Sequence, residues 1–454
     1  MNRKYIEGKY DPFTLNSILF DKRAPFGNLI PASFNQKSFL WCYWYLVKVF
    51  FSIIIKVPFR YKFASVQECQ PYFDGSILFF LPTVNNQRAL NKVVERVKER
   101  KNNVVFLKEA FSYKVFPILR ILLFSIKYLP VLRNKFSRCS QNDRKIFLYY
   151  KFDLIFAPGI IWLFHQILSR FRPESVILSN DHRIFTKSLE LVCEDFGIKT
   201  IYVQHASVSY AFPELHFTYS FLDGMDSFRK YTDAGKKTLG SVFLLGSARY
   251  DMLSNYRIHR IQTKRNCIGI AINLLDNNKI VNDCCNKLLE IDPLIQLKIR
   301  THPLLKNNPF HFDNKDRIIY TCAIDEDIMD YFDSIDLQIG GDSAVHFDSI
   351  IGGIKTVAFN FSSEQYRDNY GYVRNGLIEY AEDFDQLMKI INKETIFDVA
   401  KIRFYDESYG KSYSGKCSEI IADFILNDYD INYLMTNAGF KEVLGKNHYY
   451  VIPN

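Results

Sequence analysis

The chain has 454 residues, of which 48% are hydrophobic, 24% charged and 16% aromatic, a composition that excludes disorder or low complexity as its main theme. Single cores stop growing at about 250–300 residues, so the length predicts two domains, each with a core of its own. The 58 Lys and Arg exceed the 49 Asp and Glu for a net charge of +9, and 40 Phe and 29 Tyr stand against 3 Trp. Aromatic and basic excess together point to an anionic neighbour, whether nucleic acid, phospholipid or phosphorylated substrate. AT-rich coding bias, which inflates Phe, Tyr, Asn, Ile and Lys together, accounts for part of it. The nine Cys are irregularly spaced without a CxxC pair, which indicates neither a zinc site nor a disulfide framework and fits a reducing cytoplasm. The N-terminal MNRKYIEGKYDPF is charged but has no apolar run behind it, so no secretory signal is expected.

In chain order, the first strong feature is Phe39 to Ile55, apolar apart from Lys48 and followed by Lys56, Arg60 and Lys62. It is short of the roughly 20 apolar residues a membrane span needs. A second stretch, Tyr113 to Arg138, mixes Leu, Ile and Phe with Lys114, Arg120, Lys127, Arg133, Lys135 and Arg138, and has no acid. Two readings stay open for both: core helices ending in solvated lysines, or helices lying at a membrane surface.

From residue 150 short apolar strands alternate with amphipathic helices. Strands are predicted at 175–179, 201–203, 219–222 and 242–245, with a helix over 184–196 closed by Gly197. Residues 251–266, DMLSNYRIHRIQTKRN, are polar and basic and read as a linker. The rhythm then restarts, with strands at 267–272, 295–300, 318–321, 337–339 and 355–359 and helices at 280–291, 325–334 and 344–351. This is a βαβ order, hence α/β with parallel sheets: two Rossmann-like domains facing a cleft, with ligands at the carboxyl ends of the strands. The expected division is an N-terminal domain 1–250, a linker 251–266, a C-terminal domain 267–430 and a tail 431–454.

The polar residues of interest follow the predicted strands. In the first domain they are Asn180-Asp181-His182-Arg183, Gln204-His205-Ala206-Ser207 and Asp223-Gly224; in the second, Asn273, Thr301-His302-Pro303 and Gly340-Gly341-Asp342-Ser343. In GGDSAVHFDSIIGG the glycines let backbone approach a ligand, Asp342 or Ser343 suits an N-cap, and free amides at that terminus suit a phosphate. Equally, the same segment reads as a plain turn and cap. Asp342 would repel phosphate unless it turns away or meets a sugar hydroxyl. Arg300 and His302 bring a cation and an imidazole to one strand end, where a departing phosphate needs stabilising.

The ordered set D-H-R, VQHAS, GSARYD, RTHP and GGDS…HFDSIIGG…TVAF resembles the bacterial surface-polysaccharide glycosyltransferases of GT-B architecture. That loose group includes capsule synthesis proteins, Kdo and sialic-acid transferases with an HP motif, and CDP-glycerol glycerophosphotransferases. The resemblance covers residues 175–380. It implies a nucleotide-sugar donor, CMP-linked sugars among the options, held by the second domain, with His302 and Pro303 matching the HP motif and Ser343 the serine at the phosphate-binding helix; Asn273, Arg300, Gly341, Asp342 and His346 are the further donor-site candidates read from the sequence. It implies a glycan or lipid-linked acceptor on the first domain, and a capsule or lipopolysaccharide product. Ala206 stands where the group's Gln-His-Gly pattern has glycine. The acidic pair of polysialyltransferases is reduced to Leu222-Asp223-Gly224.

The expected reaction is an inverting transfer, with Asp181, then His205, then Asp223 as candidates for the base. Asp325-Glu326-Asp327 reads as the acidic first turn of a helix, so no metal and no cofactor are expected. The expected location is cytoplasmic, peripheral at the inner face of the cytoplasmic membrane, with no nucleic-acid partner. Other readings are a CDP-glycerol or CDP-ribitol polyol-phosphate transferase, faintly resembled by Glu364-Gln-Tyr-Arg-Asp368, a nucleotide-sugar 2-epimerase-like enzyme, and a non-enzymatic basic protein of membrane surfaces.

Overall fold

The computed structural model describes Trp44, Lys48 and residues 62–453, apart from 108–114, 141–142, 145–147, 149–150, 209, 211, 260–265, 275, 303–304, 306–314, 395 and 445–447. Most of the basic-aromatic stretch 39–62 lies outside the described residues. Two compact units emerge, one built from the chain up to Leu245 and again from Ser418 onward, the other from Gly246–Cys417.

The first unit opens with strands β1 (Ile77–Phe80), β2 (Val104–Leu107), β3 (Ser175–Leu178), β4 (Lys199–Val203), β5 (Tyr219–Leu222) and β6 (Ser241–Leu244). The second carries β7 (Cys267–Ile272), β8 (Gln296–Thr301), β9 (Ile318–Cys322), β10 (Leu337–Gly340), β11 (Lys355–Phe359) and β12 (Glu379–Ala381). The chain then returns through the helix Cys417–Leu426 to the first unit, adding β13 (Lys441–Val443) and β14 (Tyr449–Val451). Among the described residues the first sheet runs β13-β14-β6-β5-β4-β3-β1-β2, parallel except for β13 against β14. The second runs β12-β11-β10-β7-β8-β9 and is parallel throughout. Mixed α/β with two parallel sheets is the fold class expected from the sequence.

Burial explains the strands. Every residue of β1, β3, β7 and β10 is buried, as a parallel strand covered by helices on both faces requires. Strand order reverses between β1 and β3 in the first sheet and between β7 and β10 in the second. Such reversals are where crossover helices leave in opposite directions and a crevice opens at the carboxyl ends.

The structure departs from the expected boundaries in three places. The βαβ rhythm begins at β1, not at residue 150, because ILFF and VVFL frame the helix Val84–Arg100, whose start is fixed by a reciprocal Thr83–Asn86 capping box. The expected linker is half helix: Asp251–His259 belongs to the second unit, where buried Asp251 accepts the Cys417 amide at 2.9 Å. The stretch from Ser418 joins the first unit instead of ending the second. Phe424 packs on Tyr219, Phe221 and Phe243, and β14 pairs with β6 in the register Tyr450–Phe243.

Of the stretch 113–138, residues 113–114 lie outside the described residues, and the rest contains two helices, Ile118–Ile126 and Leu129–Arg138. The first lies close against Lys151–Leu168, where the Gly159 amide donates to Ser125 Oγ at 3.0 Å. A Cβ on Gly159 would sit 2.1 Å from the Ile121 carbonyl oxygen. Gly159→Ala is therefore expected to destabilise the protein by about 1–3 kcal/mol in urea unfolding, because two backbones must separate. Unchanged stability would show that this approach is loose.

Candidate functional site

Each sheet concentrates polar chemistry at its carboxyl edge, and the strand register decides which residues share a row. In the first unit Leu178 pairs with Tyr202 and Tyr202 with Ser220, so Asp181, His205 and Asp223 each lie three residues beyond one row. Asp181 stands at the reversal of strand order, while His205 and Asp223 follow one and two strands further along. Across that reversal the Asn86 amide donates to the Ser179 carbonyl at 3.1 Å, tying the helix after β1 to the end of β3.

Asn180 organises the turn. Its Oδ1 accepts from the amides of Arg183 (2.8 Å) and His182 (3.3 Å) and from the Thr186 hydroxyl (3.1 Å), so Asn180, not Asp181, satisfies the start of the helix Ile184–Asp195. Asp181 is thereby released from capping. Fully buried, its carboxylate meets His182 Nδ1 at 2.9 Å through one oxygen and accepts from the Tyr231 hydroxyl at 2.6 Å through the other. Tyr202 extends the chain to Tyr231 at 3.0 Å. Burial works to raise the Asp181 pKa, but the His182 hydrogen bond and charge, the Tyr231 hydrogen bond and Lys187 together hold it below the ordinary carboxylate value. An ionised Asp181 fixes the proton of His182 on Nδ1, which leaves Nε2 as the basic nitrogen. The His182 side chain keeps 26% of its surface exposed and rests edge-on against Phe212 at 5.0 Å.

The sequence placed the base first at Asp181, and the structure shows how that residue and its neighbour are held. Asp181 has both oxygens engaged inside the protein, whereas its sequence neighbour His182 reaches the surface. The D-H-R motif contained the signal, but a buried carboxylate and an exposed imidazole cannot be told apart without the fold. Gln204 is likewise structural. Its side-chain amide donates to the Ala206 carbonyl and Ser227 Oγ, both at 2.9 Å, and its Oε1 accepts the Asp223 amide at 3.0 Å. Ala206 is not among the positive-φ residues, so alanine fits where the related pattern has glycine. His205 is half-buried and Asp223 buried.

In the second unit Ala271 pairs with Gly340 and Ile272 with Thr301, which brings Asn273, His302 and Asp342 to one row around the end of β7. The His302 amide donates to the Ile272 carbonyl at 3.0 Å. Burial lowers the His302 pKa, favouring the neutral imidazole. Gly341 is closely overlaid: a Cβ there would lie 2.6 Å from Asp276 Oδ1 and 3.4 Å from Asn273 Nδ2, so a larger residue would displace the Asp276 side chain. The Asp342 carboxylate accepts the Asn369 amide at 3.0 and 3.2 Å, which holds it by a backbone donor beside the Gly341 turn. The helix Val345–Ile351 is capped by Ala344, while Ser343 Oγ accepts the Val345 amide at 3.3 Å.

Two expected donor residues are engaged in structural bonds. Arg300 is buried, paired with Glu326 at 3.3 Å and stacked over Tyr331 at 5.0 Å, because β9 brings the Glu326 loop alongside the end of β8. His346 is buried, with Nδ1 at 2.6 Å from Thr356 Oγ1 and Nε2 at 2.8 Å from the Gly341 carbonyl. Burial pushes its pKa down to about 4, so it is a neutral brace under the Gly341 turn. Pro303 lies outside the described residues. Asp327, expected within an acidic first turn, is the N-cap of Ile328–Asp333, and Glu326 is held by Lys298 and Arg300. Among the described residues no cluster of three His, Cys, Asp or Glu could hold a metal.

Sequence reasoning missed Asp276, which accepts the Asn273 amide at 2.7 Å and faces the Gly341 turn. Its place in the strand-to-helix turn after β7 was the available signal.

No protein-family profile and no curated protein sequence matches the chain. Solved structures of similar arrangement include UDP-GlcNAc 2-epimerase from Neisseria meningitidis bound to UDP-GlcNAc, 13% identical over 78% of this chain and 99% of that one, with a TM-score of 0.44. The wall teichoic acid polymerase TagF soaked with CDPG is 13% identical over 87% and 98%, with a TM-score of 0.47. The spinosyn rhamnosyltransferase SpnG, complexed with spinosyn aglycone, is 10% identical over 80% and 100%, with a TM-score of 0.39. This is a loose likeness that transfers no activity to the chain.

Burial first, then the nearby Asp342 charge, pushes the Asp276 pKa up to about 7 against the Asn273 amide, and burial lifts Asp342 to about 6. The native state thus holds these protons more tightly than the unfolded chain does. Their contribution to stability falls as pH rises from about 4 to about 7. Asp276→Asn keeps an acceptor for the Asn273 amide and removes the buried charge. Its melting temperature relative to the parent is expected to rise between pH 4.5 and pH 8; a pH-independent difference would contradict the assignment.

Proposed function

We propose that the chain is a nucleotide-sugar-dependent glycosyltransferase of GT-B type that builds a bacterial surface polysaccharide. In this reading the second unit takes the donor and the first takes the glycan or lipid-linked acceptor. The observation that carries it is the meeting, at the reversal of strand order in the second unit, of three segments distant in sequence: Asn273, His302 and Gly341–Ser343. A strand-order reversal that ends in a glycine turn, followed by the half-buried Asp342 and Ser343, suits a nucleotide's phosphates. His302, neutral and half-buried, donates to the departing phosphate oxygen.

In the first unit His182 acts as the base, with Asp181 and Tyr231 as positioning residues. Its Nε2 takes the proton of the acceptor hydroxyl as that oxygen attacks the anomeric carbon. The bond from that carbon to the phosphate oxygen breaks, and the nucleotide leaves with the electron pair. The configuration inverts.

A second reading is favoured by one contact. Asn369, which follows the Glu364-Gln-Tyr-Arg-Asp368 stretch, donates its amide to Asp342, so that stretch leads directly to the glycine turn. A polyol-phosphate transferase would use the same residues and release CMP from a CDP-polyol.

A panel of UDP-, GDP-, CMP- and CDP-linked donors, screened by thermal stabilisation, identifies the donor. With that donor, His182→Ala is expected to lower turnover by about 10²–10⁴-fold with nucleotide affinity unchanged. His302→Ala and Ser343→Ala are expected to weaken nucleotide binding as well. Parent-like turnover in His182→Ala would remove the base, and parent-like binding in both others would remove the donor site.

A further inference from the structure

The helix Ile118–Ile126 is apolar on both its faces, and only one of them is used by the core. Ile118, Ile121 and Ser125 point inward and are buried, and Phe124 stacks on Trp162 at 4.9 Å. On the outer face Leu119, Leu123 and Ile126 are 59%, 58% and 46% exposed, and Leu129, at the start of the next helix, is 40% exposed. The first three recur at helical spacing, so they form one stripe. Four large aliphatic side chains left together in water are a cost that isolated surface leucines do not carry, and such a patch marks a contact surface.

The charges around the stripe identify the contact. Arg120 and Lys127, seven residues apart, lie together along one side of it, Arg133 and Arg138 follow on the helix Leu129–Arg138, and all four are exposed. No Asp or Glu occurs between residues 113 and 138. Among the described residues none of the four cations has a carboxylate partner. A protein-binding helix would be expected to pair some of these charges with its own surface. A row of aliphatic side chains beside exposed cations that have no carboxylate partner among the described residues instead fits acyl chains below and phosphate headgroups alongside. No helix among the described residues is long and apolar enough to cross a membrane, so the contact is with its surface.

We propose that the outer face formed by Leu119, Leu123, Ile126 and Leu129, with Arg120, Lys127, Arg133 and Arg138, docks the first unit onto a bilayer containing anionic phospholipid. The helix Ile118–Ile126 lies in the interface plane, its aliphatic stripe among the upper acyl carbons. This inference is independent of what the strand-end sites bind.

Co-sedimentation of the full chain with phosphatidylcholine vesicles, with and without phosphatidylglycerol as about one third of the lipid, tests it without any nucleotide. Binding is expected to require phosphatidylglycerol and to fall about tenfold on raising salt from about 0.1 to about 0.5 M, as screening shortens the reach of the cations. Leu119→Glu with Leu123→Glu, both at exposed positions, is expected to cut the bound fraction about tenfold with an unchanged melting temperature. Arg120→Glu with Arg133→Glu is a second, charge-directed variant with the same expectation. Parent-like binding by both double variants would overturn the proposal, since another segment would then hold the membrane. Binding indifferent to phosphatidylglycerol, or a dimer in solution that the leucine substitutions dissolve, would overturn it too.

Discussion

A parallel sheet buried on both faces leaves its polar chemistry few places to go. The strand bodies of both units are mostly Ile, Val, Leu and Phe, and a charge placed there needs a partner, as Lys298 and Arg300 on β8 have in Glu326. The carboxyl ends escape this constraint, because the chain turns there into helices whose first amides lack partners of their own. Asn180, Asp181, Asn273, Asp276 and Asp342 all sit at such ends, and each side chain has a defined bond to a backbone amide, a backbone carbonyl or a neighbouring side chain.

Within that constraint the two ends are wired differently. In the first unit a buried carboxylate faces an imidazole and a tyrosine, an arrangement that organises a proton acceptor. In the second, two carboxylates with raised pKa values stand beside a glycine turn braced from below by His346. The proposed function assigns the first edge to the acceptor and the second to the donor on the strength of this difference.

Much of this was legible in the sequence. The strands SVIL, CIGIAI and KTVAF and the polar residues behind them follow from apolar runs bounded by turn residues. What stayed hidden has physical causes. ILFF and VVFL are four-residue runs before a region dominated by basic-aromatic helices, so the reversal between β1 and β3 went unseen, and with it the position of Asp181 and His182 at that reversal. Arg300 and His302 share a strand face, but only the pairing of β8 with β9 shows that Glu326 captures the arginine. His346 reads as a ligand in GGDS…HFDS and is a brace, because a seven-residue helix turns it under Gly341. The return of the chain after Ser418 rests on long-range packing of Phe424, which no local pattern encodes.

The proposed chemistry stands or falls with a nucleotide at the carboxyl edge of the second sheet, at the reversal between β7 and β10. Amide hydrogen exchange of the full chain, with and without the donor that stabilises it, reads that position out. Slowed exchange is expected to concentrate at residues 273–277, 302 and 341–345. Protection confined to the first unit, or absent from the Gly341 turn, would place the nucleotide elsewhere and refute the donor assignment.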